Sequence, residues 1–274
     1  MPSVLVTGAA RGIGRATALR LAASGWEVIA GMRRPGEEAW PERITAVPLD
    51  ITDEAQIAAL DGALPARLDA VVNNAGVFIG GAVEAVPLTE LRRQLEVNVV
   101  GQLAVTQAVL PRLRASRGRV VFVSSLSGRV ATPMFGPYTA SKFALEGLAD
   151  TLRMELAPWR TRVILIEPAQ TDTDLWRHAD DALNEVVGTL SPQHRELYAK
   201  HIEGYRKSIP RSQRMAAPAD GVAKAVEKAL TARRPRARYV VGASVKAQAF
   251  LAEVTPTTVL DTVLRAGTGV PRRA

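Results

Sequence analysis

Short apolar runs alternate with longer stretches of helical period along most of this 274-residue chain. Residues 4–6, 28–32, 44–49, 68–72, 119–123 and 162–166 are compact and rich in Val and Ile, as strands buried on both faces are. Between them Ile13, Ala16, Leu19 and Ala22 recur at helical spacing, and Gly25 closes that helix. Either Thr52 or Asp53 caps a helix running to Leu64. Leu91, Leu95, Val99, Leu103, Thr106 and Leu110 predict one helix over 88–114. Ala144, Leu148, Thr151, Leu152 and Leu156 mark another, opened by Pro137 and Tyr138 and ended near Pro158. The alternation predicts an α/β fold: a parallel sheet with helices on both faces, doubly wound because crossovers are right-handed.

Residues 174–216 break this rhythm. They are polar, hold all three histidines (His178, His194, His201), and carry Trp176, Tyr198 and Tyr205. An insertion after a strand's carboxyl end is well placed to cover a bound substrate, so the stretch reads as a helical lid. Its Leu175, Trp176, Leu183, Val186, Val187 and Leu190 either face an apolar substrate or pack the lid's own core. A helix over 217–232 and a strand over 238–242 follow, giving one domain over 1–242 that includes the lid. The tail, 243–274, is broken by Pro256 into two amphipathic pieces and is expected to pack on the domain or on a partner subunit.

Composition narrows the function classes. With no cysteine there is no disulfide and no thiolate chemistry, which fits a reducing compartment. No stretch approaches 18 apolar residues, so no membrane span is expected. The N-terminus reads as a strand rather than a signal peptide, and the expected location is the cytoplasm. The net charge of +8 leans to the C-terminal half, where Arg233, Arg234, Arg236 and Arg238 cluster. Without interleaved aromatics that cluster reads as a solvated loop, and nucleic-acid binding is not expected. The histidines lack metal-ligand spacing, so no metal site is expected.

The chemistry concentrates at strand ends. Thr7-Gly8-Ala9-Ala10-Arg11-Gly12-Ile13-Gly14 joins the first strand to the first helix, where free N–H groups and a helix dipole suit a pyrophosphate. The end of the second strand tells which dinucleotide fits. An acidic residue there would bind a ribose 2′-OH, but Met32 and Arg33 stand in its place. Arg33 and Arg11 can each offer charge-assisted hydrogen bonds to a 2′-phosphate, which favours NADP(H) over NAD(H). Asn73-Asn74-Ala75-Gly76, small and amide residues after the fourth strand, suit close approach of the same cofactor. Asn98 puts an amide on an otherwise apolar helix face, where it needs hydrogen-bond partners. Tyr138 and Lys142, four apart, share one face of a helix. An ammonium beside a phenol lowers the phenol's pKa, and would let a tyrosine transfer protons near neutral pH.

Together these pieces resemble the short-chain dehydrogenase/reductase family, over Pro2 to about Gly242. The matching residues are Thr7-Gly8-x-x-x-Gly12-Ile13-Gly14, Asp50, Asn73 to Gly76, Asn98, Ser125, Tyr138-x-x-x-Lys142 and Pro168 through Thr173. The lid and the run from Pro137 to Glu146 look most like the branch with hydroxysteroid and retinol dehydrogenases. The resemblance implies a Rossmann-type three-layer fold and an oxidoreductase interconverting a carbonyl and an alcohol. It implies Tyr138 as general acid and base, Ser125 holding the substrate oxygen, Lys142 lowering the Tyr138 pKa and gripping the nicotinamide ribose, and Asn98 holding a relay water. It also implies cofactor contacts from Gly8, Gly12, Ile13 and Gly14 to pyrophosphate, from Asp50 and Ile51 to adenine, from Asn74, Ala75 and Gly76 to ribose, from Thr173 to the carboxamide or phosphates, and from Pro168. Family members associate through the helices at 88–114 and 138–157, which implies a homodimer or homotetramer. Ala169 stands where the family usually has glycine. The alternatives are an NAD(H)-preferring dehydrogenase of the same kind, or a dinucleotide-binding sensor without chemistry.

Overall fold

The computed structural model describes residues 1–36, 40–177 and 179–270, without the side chains of Leu175, Trp176, Ala182, Ala243 and Ser244; His178 lies outside the described residues. Along the chain run β1 (Ser3–Thr7), α1 (Gly12–Ala23), β2 (Glu27–Met32), β3 (Ile44–Pro48), α2 (Glu54–Ala63), β4 (Ala70–Asn73) and α3 (Leu88–Leu95). A π-helical turn (Glu96–Gly101), α4 (Gln102–Ser116), β5 (Arg119–Val123), α5 (Gly136–Glu155) and β6 (Arg162–Glu167) follow. The lid comprises β7 (Thr171–Asp172), α6 (Asp174–Arg177), α7 (Ala179–Thr189), α8 (Pro192–Leu197), α9 (Ala199–Met215) and β8 (Ala217–Pro218). The chain continues with α10 (Ala219–Thr231), β9 (Arg238–Val240), α11 (Ala243–Val254) and α12 (Thr257–Gly267).

One parallel sheet runs in the order β3-β2-β1-β4-β5-β6-β9. The order reverses between β1 and β4, and ligands of such sheets bind outside the carboxyl ends at that switch. Alternate residues of each strand feed opposite layers. Val4, Val6, Val28 and Ala30 pack with Leu21 of α1 and Val226 of α10. Leu5, Ile29, Val71 and Phe122 pack with Ile57 of α2, Val109 of α4 and Leu145 of α5. Asp53, rather than Thr52, caps α2, its side chain accepting from Ala55 N and Gln56 N.

The helix expected over 88–114 is instead α3 and α4 joined through the π turn. Its apolar period is the same either way, so the pattern could not distinguish the two. A Cβ on Gly101, at the end of that turn, would lie 2.5 Å from Ile51 O, so glycine lets this helix cross closely over the loop that follows β3.

β7 and β8 pair in parallel and clamp the base of the lid. Leu183, Ile202, Tyr205 and Ile209 pack with Ala82 and Met134 of the domain, and Tyr198 Oη donates to Glu84 Oε2 at 2.5 Å. The lid's apolar residues therefore build its own docking core. Of the tail, Val245 and Ala249 are buried, whereas Phe250, Leu251, Val254, Val259 and Val263 are exposed. A Cβ on Gly204 of α9 would stand 2.7 Å from Gly269 O, which brings the end of the tail back onto the lid. Among the described residues no helix is long and apolar enough to cross a membrane.

Candidate active site

Gly8 and Gly12 have φ of +65° and +55°, so the chain leaves β1 through a left-handed turn that side chains resist. A Cβ on Gly14 would meet Gly8 O at 2.3 Å and Asn74 Nδ2 at 2.5 Å. The loop folds on itself because none is there. Asn74 Nδ2 donates to Thr7 O and Gly8 O at 3.0 and 3.2 Å, and Thr7 Oγ1 accepts from Asn74 N and Ala75 N at 3.0 Å each. The exits of β1 and β4 are thus one unit, and the Asn74 amide is committed to building it. Gly76 comes close to Asn98: a Cβ there would lie 3.2 Å from Asn98 Oδ1.

Arg11 is the N-cap of α1 and makes no side-chain cap. The first N–H groups of the helix, at Gly12, Ile13 and Gly14, are left to an outside acceptor, as a pyrophosphate requires. Thr173 Cγ2 overlies this loop, 3.2 Å from the position of a Gly12 Cβ. Pro168 O accepts from Leu126 N at 2.8 Å, joining the ends of β5 and β6. Ala169 has no positive φ, so alanine carries no backbone cost where glycine is customary.

At the end of β2, Met32 is buried and Arg33 exposed. Asp50 Oδ1 accepts from Thr52 N and Oγ1 at 3.0 and 2.8 Å; these bonds, with the nearby Arg33 charge, hold its carboxyl below the usual range. Ile51, beside it, is buried. Arg11, expected near the 2′-phosphate, pairs with Asp174 at the start of the lid (3.1 Å) while remaining largely exposed.

The second half of the site lies where β5 ends and α5 begins. Ser125 caps the short 3-10 turn at 126–128, accepting from Ser127 N at 3.1 Å, and its hydroxyl engages the Tyr138 phenol. Lys142 Nζ donates to Val123 O at 2.9 Å and sits 5.6 Å from the centre of the Tyr138 ring. The expected lowering of Tyr138 is not what the structure displays. Burial pushes the phenol up from 10.0, and the bond with Ser125 offsets this only in part. Lys142 is itself brought down to about 8 by burial, with Glu146 acting in the opposite direction. Spacing put the two groups on one face, but it carried no information on how deeply that face is buried or on where the ammonium bonds.

Asn98 is fully buried and satisfied: Oδ1 accepts from Val77 N at 2.9 Å, and Nδ2 donates to Val77 O at 3.0 Å and Ser141 Oγ at 3.1 Å. Ser141 Oγ in turn donates to Tyr138 O at 2.7 Å. The amide so ties α5 to the strand exit. Gln94 and Gln102, one turn away on either side, hold α3 and α4 to the same segment after β4. Gln94 bonds Val77 O and Ile79 N, and Gln102 bonds Ala75 O. Sequence reading missed both glutamines, although the spacing 94, 98, 102, 106 was there to find.

An aromatic wall leads from Tyr138 to the lid. Phe78 lies 5.2 Å from the Tyr138 ring centre and 5.0 Å from Phe135, which meets Tyr205 edge-on at 5.3 Å. Phe78, Met134, Leu183, Val186 and Tyr205 line an apolar pocket there. Burial raises the Tyr205 phenol to about 12, so it stays neutral at any working pH.

Behind Lys142 lies a buried cluster of charge that sequence reading also missed. Glu146 Oε2 accepts from Arg238 Nε and Nη2 at 3.2 and 3.1 Å, and Arg238 also reaches Asp150 at 2.5 Å and Glu167 at 3.2 Å. Arg129 pairs with Glu167 at 2.7 Å and with Glu253 of α11. Arg238, read as part of a solvated basic loop, is turned inward by these carboxylates; Arg233, Arg234 and Arg236 are exposed. Among the described residues no group of His, Cys, Asp and Glu could hold a metal.

The family model for short chain dehydrogenase matches residues 2–184. The chain belongs to the short-chain dehydrogenase/reductase family. The enzyme is thus an NAD(P)-dependent oxidoreductase of CH–OH and C=O groups. It is 34% identical over 259 residues to the NADPH-dependent 3-dehydrocapnine reductase of Ornithobacterium rhinotracheale, covering 88% of each chain. It is 34% identical to retinol dehydrogenase 5 of Mus musculus, over 95% of this chain and 87% of that one, in keeping with the branch its motifs resemble. A short chain dehydrogenase of Burkholderia cenocepacia J2315, solved in complex with NADP, superposes with a TM-score of 0.75 at 26% identity, covering 96% of this chain and 97% of that one. The short-chain dehydrogenase fold, the doubly wound sheet expected from the alternation, is the one observed.

Proposed function

We propose that this enzyme uses NADP(H) to interconvert a ketone or aldehyde and the matching alcohol on an apolar small molecule, with Tyr138 as the acid and base. The observation that carries the reading is the convergence of Tyr138, Ser125 and Lys142 where β5 ends and α5 begins, with Phe78 joining the Tyr138 ring to the apolar pocket under the lid. A cofactor whose pyrophosphate is held by the glycine loop would supply or accept the hydride through its nicotinamide. The chain's residues do the rest. Ser125 and Tyr138 hydroxyls grip the carbonyl oxygen, and the phenol gives that oxygen a proton as the carbonyl carbon is reduced. Lys142 stabilises the phenolate left behind and helps restore its proton. Asn98, through Ser141, fixes the start of α5 so that the phenol meets its target.

The pH dependence follows from the sign of the titration. Reduction takes up a proton and needs the protonated pair, while oxidation needs the deprotonated one. With Lys142 titrating at about 8, reductive turnover is expected to fall above that pH and oxidative turnover to rise through it. Profiles of kcat in both directions check this, and a reductive rate that climbs with pH would contradict it.

Arg33 and the missing acid at the end of β2 support the phosphorylated cofactor, as does the NADPH dependence of the reductase relative. A charge-assisted bond is worth roughly 1.5–3 kcal/mol, so Arg33→Ala should erase about a 10- to 100-fold preference for NADPH in KM. Equal KM values for NADPH and NADH in the wild type would refute the preference. Phe143, Leu148 and Met154, exposed along α5, support association of copies through that helix. Light scattering on the purified chain should read a dimer or tetramer.

A further inference from the structure

The proton transfer just described makes no use of Glu146 or Glu167, yet both are buried, at 7% and 0% exposure. A buried carboxylate costs several kcal/mol unless it is paired, and here two arginines from separate segments reach in to pair them. Position argues that the cluster is more than a brace. Glu146 follows Lys142 by one helical turn, so the two side chains share a face of α5. Ser124 directly follows Val123, whose carbonyl receives Lys142 Nζ. The Ser124 hydroxyl lies close enough to favour the ionised form of Glu146 without completing a well-aligned hydrogen bond.

Lys142 itself is 5% exposed and bonds Val123 O. A buried amine in such surroundings tends to discharge, and a carboxylate nearby on its own face opposes this. We propose that Glu146 is a positioning residue for Lys142: its carboxylate is the counter-charge that keeps the amine an ammonium seated on Val123 O, while Arg238 holds that carboxylate in place. The inference rests on the role assigned to Lys142 above. Besides Lys142, Glu146 faces Asp150 on its own helix, Ser124 just after β5, Glu167 from β6 and Arg238 from β9. Arg129 neutralises Glu167 from the far side and joins it to Glu253 of α11. Burial raises the Glu146 carboxyl above its ordinary range and the Glu167 charge adds to this, while Ser124 and Arg238 pull the other way and favour the ionised form.

The test compares wild type with Glu146→Gln, Glu146→Asp and Ser124→Ala, reading the pH profile of reductive turnover and the pH dependence of NADPH binding by fluorescence titration. Glu146→Gln should move the alkaline limb of both profiles down by about one pH unit, with activity recovered at lower pH. Glu146→Asp should restore most of the shift. Ser124→Ala, a small change that removes support for the ionised carboxyl, should move the limbs the same way by less, and it serves if Glu146→Gln does not fold. Limbs unmoved in every variant that folds, with only the melting temperature lowered, would overturn the proposal and leave Glu146 a brace. Lys142→Met separates the two ideas: if it keeps the wild-type profile, the role given to Lys142 fails, whatever Glu146 does.

Discussion

Tyr138→Phe should lower kcat for carbonyl reduction about a thousandfold, the middle of the range for losing a positioned general acid. The substitution removes one oxygen and leaves the ring, so its packing against Phe78 at 5.2 Å survives. The glycine loop, which would hold the pyrophosphate, lies on other elements and loses nothing. The NADPH dissociation constant should therefore stay within about twofold of wild type, and the loss should fall on kcat rather than KM. Ser125 is left without its phenol partner, and its hydroxyl alone cannot replace the proton. Turnover within tenfold of wild type would remove Tyr138 from the chemistry.

Gly14→Ala should abolish tight NADPH binding and lower stability, although two effects oppose each other. In a helix first turn, alanine is favoured over glycine by up to about 1 kcal/mol. Here the added Cβ would meet Gly8 O at 2.3 Å and Asn74 Nδ2 at 2.5 Å, neither of which is the free end of a flexible chain. Relieving that clash pulls Asn74 off Thr7 O and Gly8 O and opens the turn that aims the N–H groups. Overpacking costs about 1–3 kcal/mol, and lost hydrogen bonds add to it, so the clash wins. A Kd for NADPH at least tenfold weaker, with a lower melting temperature, is the expected result. A variant that is more stable and binds normally would show that the loop is not closed by this contact.

Much of this was legible in the chain because buried parallel strands compress into short apolar runs, and because the glycine loop and the Tyr138–Lys142 spacing are local patterns. β5 was bounded correctly at Arg119 and Val123 from its apolar run alone. What escaped depended on tertiary placement. The π turn at Glu96–Gly101 hides inside a helical period that it does not disturb. Asn98 stood out as an awkward amide, but its partners Val77 and Ser141 lie on segments far apart in the chain. The direction of the Tyr138 shift turns on burial, which spacing does not carry. Glu146, Glu167, Arg129 and Arg238 come from four separate segments, so no local pattern links them, and Arg238 was read as one of a run of exposed arginines. The pairing of Arg11 with Asp174 at the start of the lid joins positions 163 apart in the chain, equally beyond any local pattern.

The central claim is that this site moves a hydride and a proton onto a carbonyl. The most direct test mixes purified wild type and Tyr138→Phe with NADPH and a panel of ketones, aldehydes, steroids and retinoids, and follows the absorbance of the reduced cofactor. The account predicts that wild type consumes NADPH with at least one apolar carbonyl and forms the alcohol in equal amount, while Tyr138→Phe binds NADPH and consumes none at a comparable rate. Tight NADPH binding by wild type with no consumption across the panel would contradict it.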